Sequence, residues 1–232
     1  MTKILKRLSA AFLLLALCGA GTDAQEGGGA RELIRRGNEL YARAEYEAAI
    51  AVYARVPEGA GEQYAQALYN VGVCRYELWQ TEEAVGFYRR AVAARGGRYP
   101  KASYALGVAL EDLGRDAEAK AAYMPIAREY APAHYRLGLL AAREGDEARA
   151  ALHFREAIRQ SQDKFPASRN NLGVMLARAG RLAEAEREFE AALRQSGGDF
   201  EEAAHNLKLC RALLSGRDSV GGLRLSTAGG GI

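Results

Sequence analysis

From residue 30 to 216, apolar residues recur at three- and four-residue spacing and are interrupted by short polar stretches. That is the period of a helix with one buried face. The stretch "NNLGVMLARAGRLAEAEREFEAAL" (Asn170–Leu193) shows the unit. Two such runs flank the turn signal "RAGR", so the pattern predicts a pair of helices. Similar breaks stand at "LGRD" (Leu113–Asp116) and "REGD" (Arg143–Asp146). Within the first run sits Gly173, although glycine costs roughly 1 kcal/mol against alanine in a helix interior.

Sliding this stretch along the chain explains the glycine. A glycine, an alanine twelve residues on and an aromatic four further on recur five times. The sets are Gly37, Ala49, Tyr53; Gly72, Ala84, Tyr88; Gly107, Ala119, Tyr123; Gly138, Ala150, Phe154; and Gly173, Ala185, Phe189. Successive glycines stand 35, 35, 31 and 35 residues apart. A helix–turn–helix unit repeated in tandem produces such a pattern. Glycine and alanine remove side chains where paired helices touch, and the aromatic is expected to fill the space between one repeat and the next. Pro100, Pro132 and Pro166 fall in first helical turns, where a missing N–H costs little. Pro125 falls inside the second helix of the short third repeat and should kink it.

The predicted fold is all-α: a right-handed solenoid of about five helix pairs and a C-terminal capping helix, eleven helices with no strand. The repeats are placed at 30–64, 65–99, 100–130, 131–165 and 166–199, with the cap at 200–216. In the cap, Lys208 takes the position of the glycine. A cap of this kind covers the last apolar face of a solenoid. The tail 217–232 has no helical period and is expected to be disordered.

At the glycine, alanine and aromatic positions the sequence resembles the tetratricopeptide repeat family, over about residues 30 to 199. It departs in lacking tryptophan four residues before each glycine. The resemblance implies that first helices line a concave face binding a protein or peptide. Carried over by position, that groove comprises Asn38, Tyr41, Tyr69, Tyr76, Tyr104, Glu111, Tyr135, Arg136, Arg143, Asn170 and Arg178. Truncating Tyr104 and Tyr135 is expected to weaken partner capture while leaving the helices intact. The chaperone-binding clamp of some members is not matched: its positions hold Ile34, Asn38, Asn70, Lys101 and Ala105, short of two cations. The "AAHNLKLCRALL" helix in a short exported chain resembles the repeat subunits of aerotolerance-type (Bat) envelope complexes. Pilus-assembly lipoproteins with these repeats are an equal alternative.

Composition and charge narrow the function. The 232 residues hold only five prolines and a formal charge of +3. The first 24 residues carry three basic groups against one acid, so the remainder is nearly neutral and lacks the basic footprint of a nucleic-acid binder. The opening "MTKILKRLSAAFLLLALCGAGTDAQ" has basic residues, an apolar run from Leu8 to Ala20 and then small residues, the layout of a signal peptide (1–24) followed by a Gly-rich linker (25–29). Cleavage after Ala20 or Ala24 would deliver the chain to the periplasm. The alternatives are an uncleaved tether and lipidation at Cys18, since "LALC" resembles a lipoprotein box, with Leu17 where that box has a small residue.

Nothing in the motifs points to catalysis. His134, His153 and His205 fall on three predicted helices with no metal-ligand spacing on any one of them, and His134 is expected to be packing. Glu82–Glu83 and Glu201–Glu202 open helices and complement the helix dipole. Cys74 and Cys210 hold the same core position four repeats apart, on the order of 40 Å at 8–10 Å per helix. A disulfide requires Cα atoms within about 7 Å, so both should be free thiols. The expected function is a non-enzymatic scaffold of the bacterial envelope, with no cofactor, metal, nucleic acid or small-molecule substrate. The rival is an accessory subunit of an envelope enzyme, or an enzyme whose site the sequence does not display.

Overall fold

The computed structural model describes residues 29–216 and 222–227 and contains no strand among them. The predicted signal peptide, Cys18 and most of the linker lie outside the described residues. Eleven α-helices follow one another: α1 at 29–42, α2 (Tyr46–Tyr53), α3 (Glu62–Glu77), α4 (Thr81–Ala94), α5 (Pro100–Asp112), α6 (Asp116–Tyr123), α7 (Ala131–Arg143), α8 (Glu147–Gln160), α9 (Pro166–Arg178), α10 (Leu182–Gln195) and α11 (Glu201–Leu214). Short 3-10 turns stand at Glu58–Ala60 and Met124–Ile126. The chain divides into two compact units, Met1–Leu113 and Gly114–Ile232, so that α1 to α5 belong to the first and α6 to α11 to the second. In the first unit α3 packs on α2 and α4, and α4 on α5; in the second each helix from α6 to α11 packs on the next, and α11 also touches α9.

The glycines act inside each repeat. A methyl group placed on Gly72 would lie 2.6 Å from Cε1 of Tyr88, and on Gly138 or Gly173 2.6 Å from Cε1 of Phe154 or Phe189. Gly37 meets Tyr53 in the same way. The expectation that these aromatics fill the space between repeats is therefore corrected. In these four pairs the ring packs against the glycine of its own helix pair, because only a bare Cα leaves room for it there. Ala49, Ala84, Ala119, Ala150 and Ala185 are fully buried.

A second set of aromatics joins one repeat to the next. Tyr69 on α3 meets Tyr99, the residue before Pro100, with ring centroids 5.8 Å apart. Tyr135 on α7 meets Phe165, the residue before Pro166, at 5.0 Å. Both partners sit just ahead of a helix whose first turn carries proline, which needs no N–H partner there.

Two turns of the second unit, after α7 and after α9, are closed by left-handed glycines. Gly145 (φ 79°) and Gly180 (φ 76°) let the next N–H reach back, Asp146 to the carbonyl of Ala141 and Arg181 to that of Leu176, each at 2.9 Å. In the first unit the matching turn after α3 closes equally, Gln80 N–H to Arg75 O at 2.9 Å, but holds Trp79 at φ 61°. That indole is 91 % exposed.

Pro125 ends its helix. α6 has 8 residues where α4, α8 and α10 have 14, and the chain continues as the 3-10 turn. The division between the units precedes α6, at Leu113/Gly114, and not at the proline. Cys74 and Cys210 are buried free thiols, and burial pushes the Cys74 thiol up to about 11.

Candidate functional site

In the first unit, Tyr41, Tyr76 and Asn38, all expected to line a groove, are bonded to side chains of neighbouring helices. Tyr41 on α1 donates its hydroxyl to Glu77 of α3 at 3.2 Å, and Tyr76 on α3 donates to Asp112 of α5. Each pair spans 36 residues, so a tyrosine at the end of one first helix is tied to a carboxylate of the next. Burial, with Glu77 beside it, pushes the Tyr41 phenol up to about 12. Asn38 accepts from the Tyr53 hydroxyl at 2.7 Å and from Asn70 at 3.2 Å. Glu111 is half-buried on α5.

Three of the expected groove tyrosines are core residues. Tyr69, Tyr104 and Tyr135 are 4 %, 2 % and 0 % exposed. Tyr69 and Tyr135 pack against the aromatic of their own repeat, Tyr88 at 5.8 Å and Phe154 at 6.1 Å, as well as on the next repeat. Removing such rings opens a cavity in the core. The expectation that Tyr104 and Tyr135 can be truncated with the helices left intact is corrected accordingly. Arg143 and Arg178 are exposed and stand 3.4 Å from Asp116 and 3.6 Å from Glu147. Pairs of this kind contribute little. Arg136 is half-buried on α7.

The described part of the tail occupies a built site. Of the tail 217–232, residues 222–227 are described and lie along α7, α9 and α11 in the second unit; the rest lies outside the described residues. Asn206 of α11 accepts from the Arg224 N–H at 2.8 Å and donates to the Arg224 carbonyl at 2.6 Å. Asn171 of α9 does the same with Ser226, accepting at 2.7 Å and donating at 2.8 Å. Asn170 bridges them: it accepts from Asn206 at 2.8 Å and donates to the Arg224 carbonyl at 3.2 Å. The Tyr135 hydroxyl donates to the Ser226 carbonyl at 2.6 Å, and His205 Nε2 to the Gly222 carbonyl at 3.0 Å. All three asparagines are fully buried.

The chemistry of this arrangement is plain. A carboxamide offers a carbonyl acceptor beside an N–H donor, which matches the N–H and C=O of one residue of an extended chain. In an extended chain alternate residues face the same way, about 6.6 Å apart. Asn171 and Asn206 occupy the same position of their repeats, two before the glycine and two before Lys208, and so meet residues 226 and 224. Of this set the groove expected from the sequence included Asn170 and Tyr135. It missed Asn171, Asn206 and the tail itself; the available signal was the recurrence of asparagine at one repeat position.

The histidines are not scattered as their sequence positions suggested. His134 on α7 and His153 on α8 face each other, Nδ1 to Nδ1 at 3.0 Å. Both are half-buried, and burial holds both below the ordinary histidine value. Among the described residues no three His, Cys, Asp or Glu side chains are placed to hold a metal ion.

A helix pair locked by glycine on an aromatic, stacked in tandem and presenting first-helix side chains to a peptide segment, defines a helical-repeat binding protein. Comparison with protein families identifies the tetratricopeptide repeat over residues 34–99, 104–165 and 135–200, and the chain belongs to that family. Proteins of this family bind protein or peptide partners and are generally scaffolds without enzymatic activity. No curated protein matches the chain significantly.

Solved structures share the fold. The PilF protein of Pseudomonas aeruginosa is 17% identical with a TM-score of 0.68, covering 83% of this chain and 87% of its own. YrrB, described as a TPR protein with an unusual peptide-binding site, is 24% identical with a TM-score of 0.60, covering 84% and 98%. MamA from Desulfovibrio magneticus RS-1 is 18% identical with a TM-score of 0.60, covering 74% and 97%.

Proposed function

We propose that the chain is an envelope scaffold that captures an extended segment of a partner protein on the α7–α9–α11 face of its second unit. The observation that carries this reading is the pair of repeat-spaced carboxamides, Asn171 and Asn206, each closed on the main chain of a residue two apart from the other's. Three buried asparagines in a row are costly unless something satisfies them, because an unpaired buried amide costs about 1–3 kcal/mol. An extended peptide satisfies them all. The description of YrrB as having a peptide-binding site agrees with this use of the fold. The envelope location rests on the tripartite N-terminus, with the lipid-anchored form through Cys18 as its variant.

Photocrosslinking in the native host tests the binding. A benzophenone side chain at Leu209, beside the bound segment, is expected to trap a discrete partner. The same chain carrying Asn171→Ala and Asn206→Ala is expected to trap far less. Crosslinks that ignore the two asparagines would remove the site from this face. Mass spectrometry of the purified protein tests the location. A chain lacking its first 20 or 24 residues, or starting at acylated Cys18, supports it, and an intact chain recovered in the cytosolic fraction overturns it.

A further inference from the structure

We infer that the chain's own residues 223–226 are a built-in competitor for this face, and that the partner segment it admits repeats their pattern: apolar, any residue, apolar, small polar. This inference rests on the peptide-binding reading above. The hydrogen bonds to Arg224 and Ser226 go to main-chain atoms, so any extended segment can make them. Selection must come from the side chains that are enclosed. Leu223 is 8 % exposed and belongs to the apolar cluster containing Cys210, and Leu225 packs against that cluster. Ser226 is 1 % exposed, with the Tyr135 hydroxyl on its carbonyl, which leaves no room for a long or charged side chain. Arg224 points outward, its side chain 55 % exposed and 3.9 Å from Glu201, so this position is free to vary. Gly222 passes so close to α11 that a methyl group there would lie 3.0 Å from Leu209 Cδ2.

The tail therefore offers an incoming segment nothing that the segment cannot itself replace. The same carboxamides that hold residues 224 and 226 hold the partner once the tail has left. The face is closed in the resting chain and opened by exchange.

A fluorescent peptide GGLRLSTA, the sequence of residues 221–228, is the probe. It is titrated by anisotropy against the full chain, unaltered and carrying Leu223→Asp with Ser226→Arg. The altered chain is expected to bind at least about tenfold more tightly than the unaltered one, and Asn171→Ala added to it should cost about tenfold, 1.4 kcal/mol. A probe with glutamate at the Arg224 position should bind comparably, and one with arginine at the Ser226 position should not. Equal binding by unaltered and altered chains would overturn the competition while leaving the face a peptide site. No binding by an altered chain of normal helix content would overturn both readings. A dimer in light scattering that disappears on altering the tail would assign the tail to a second copy and overturn the intramolecular assignment. Should the alteration unfold the chain, hydrogen exchange on the unaltered protein decides. The Arg224 and Ser226 amides should lose protection when the probe saturates, and unchanged protection overturns the exchange.

Discussion

The first helices of the two units begin from the same frame and end with opposite surfaces. In the first unit, the position four after the glycine holds Tyr41, Tyr76 and Glu111, and both tyrosines are bonded to a carboxylate of the next repeat. In the second unit the same position holds Ala142, Ala177 and Ala212. Two before the glycine, the first unit holds Asn70, which turns to Asn38. The second unit holds Asn171, and Asn206 at the matching place of the cap, and both turn to a peptide backbone. A carboxamide is thus a strut or a peptide reader according to what stands beside it. Tyrosines that bond one first helix to the next satisfy the first unit's polar groups internally. In the second unit the carboxamides of Asn171 and Asn206 are satisfied by the main chain of residues 224 and 226.

Substitution of tyrosine should break the symmetry hardest. Tyr135→Ala is expected to cost about 3–5 kcal/mol, as for other buried aromatics, whereas Tyr76→Ala, half-buried, should cost clearly less. Tyr135→Phe should keep the packing and lose only the hydroxyl bond to Ser226, about 1 kcal/mol. Urea unfolding followed by circular dichroism measures all three. Equal losses at Tyr76 and Tyr135 would place both in the same environment.

Next come the asparagines. Asn171→Ala with Asn206→Ala should free the tail, seen as rapid exchange of the Arg224 and Ser226 amides, at about 1 kcal/mol per bond lost. Asn38→Ala with Asn70→Ala should leave tail exchange unchanged. A tail that stays protected without Asn171 and Asn206 would mean that Leu223 holds it alone.

The turns differ too. Trp79→Gly is expected to stabilise the first unit by about 1 kcal/mol, since a side chain in left-handed backbone costs roughly 1–2 kcal/mol. Gly180→Ala in the second unit should destabilise by a similar amount. Thermal melts compare them; a destabilised Trp79→Gly would show that the exposed indole holds a contact.

The smallest effect is a dependence on pH confined to the second unit. Burial lowers both His134 and His153, with each other, Arg149, Glu156 and Arg159 as the charged or titratable neighbours acting on them. The unfolded chain therefore takes up protons first. Their contribution is complete above the ordinary histidine value of about 6.5 and is lost as pH falls through it toward the lowered folded values. The urea midpoint should drop between about pH 7.5 and about pH 5, and His134→Gln with His153→Gln should flatten that drop. Trp79, the only tryptophan, reports the first unit by fluorescence and should show less of it.

Much of the fold was legible in the sequence because its determinants are local and repeated. A glycine that can only be explained by a ring lying on it, recurring with its aromatic sixteen residues on, specifies a helix pair. The site was legible only in fragments. A repeat register shows that Asn170 lies on a first helix, yet not that Asn171 and Asn206 turn inward beside it, since buried carboxamides leave neither an apolar period nor a charge pattern. The tail misled for a related reason. "LRLS" has no period of its own, and its main-chain bonds are supplied by side chains as far as 91 residues away in sequence. Tyr69, Tyr104 and Tyr135 were placed on the right helices with the wrong exposure, because Tyr99 and Phe165, which cover the first and last of them, precede the helices and fall outside the motif.

The glycine–aromatic contact closes within a helix pair and not across to the next. A stretch of 35 residues from this chain therefore carries both halves of its own lock. Copied in frame, it brings along everything its two helices need to find each other, and only the stacked rings at its edges must be matched to new neighbours. Such a chain can lengthen by duplication without redesign of any existing pair, and a side chain such as Asn171 can be altered in one copy while the others keep their shape.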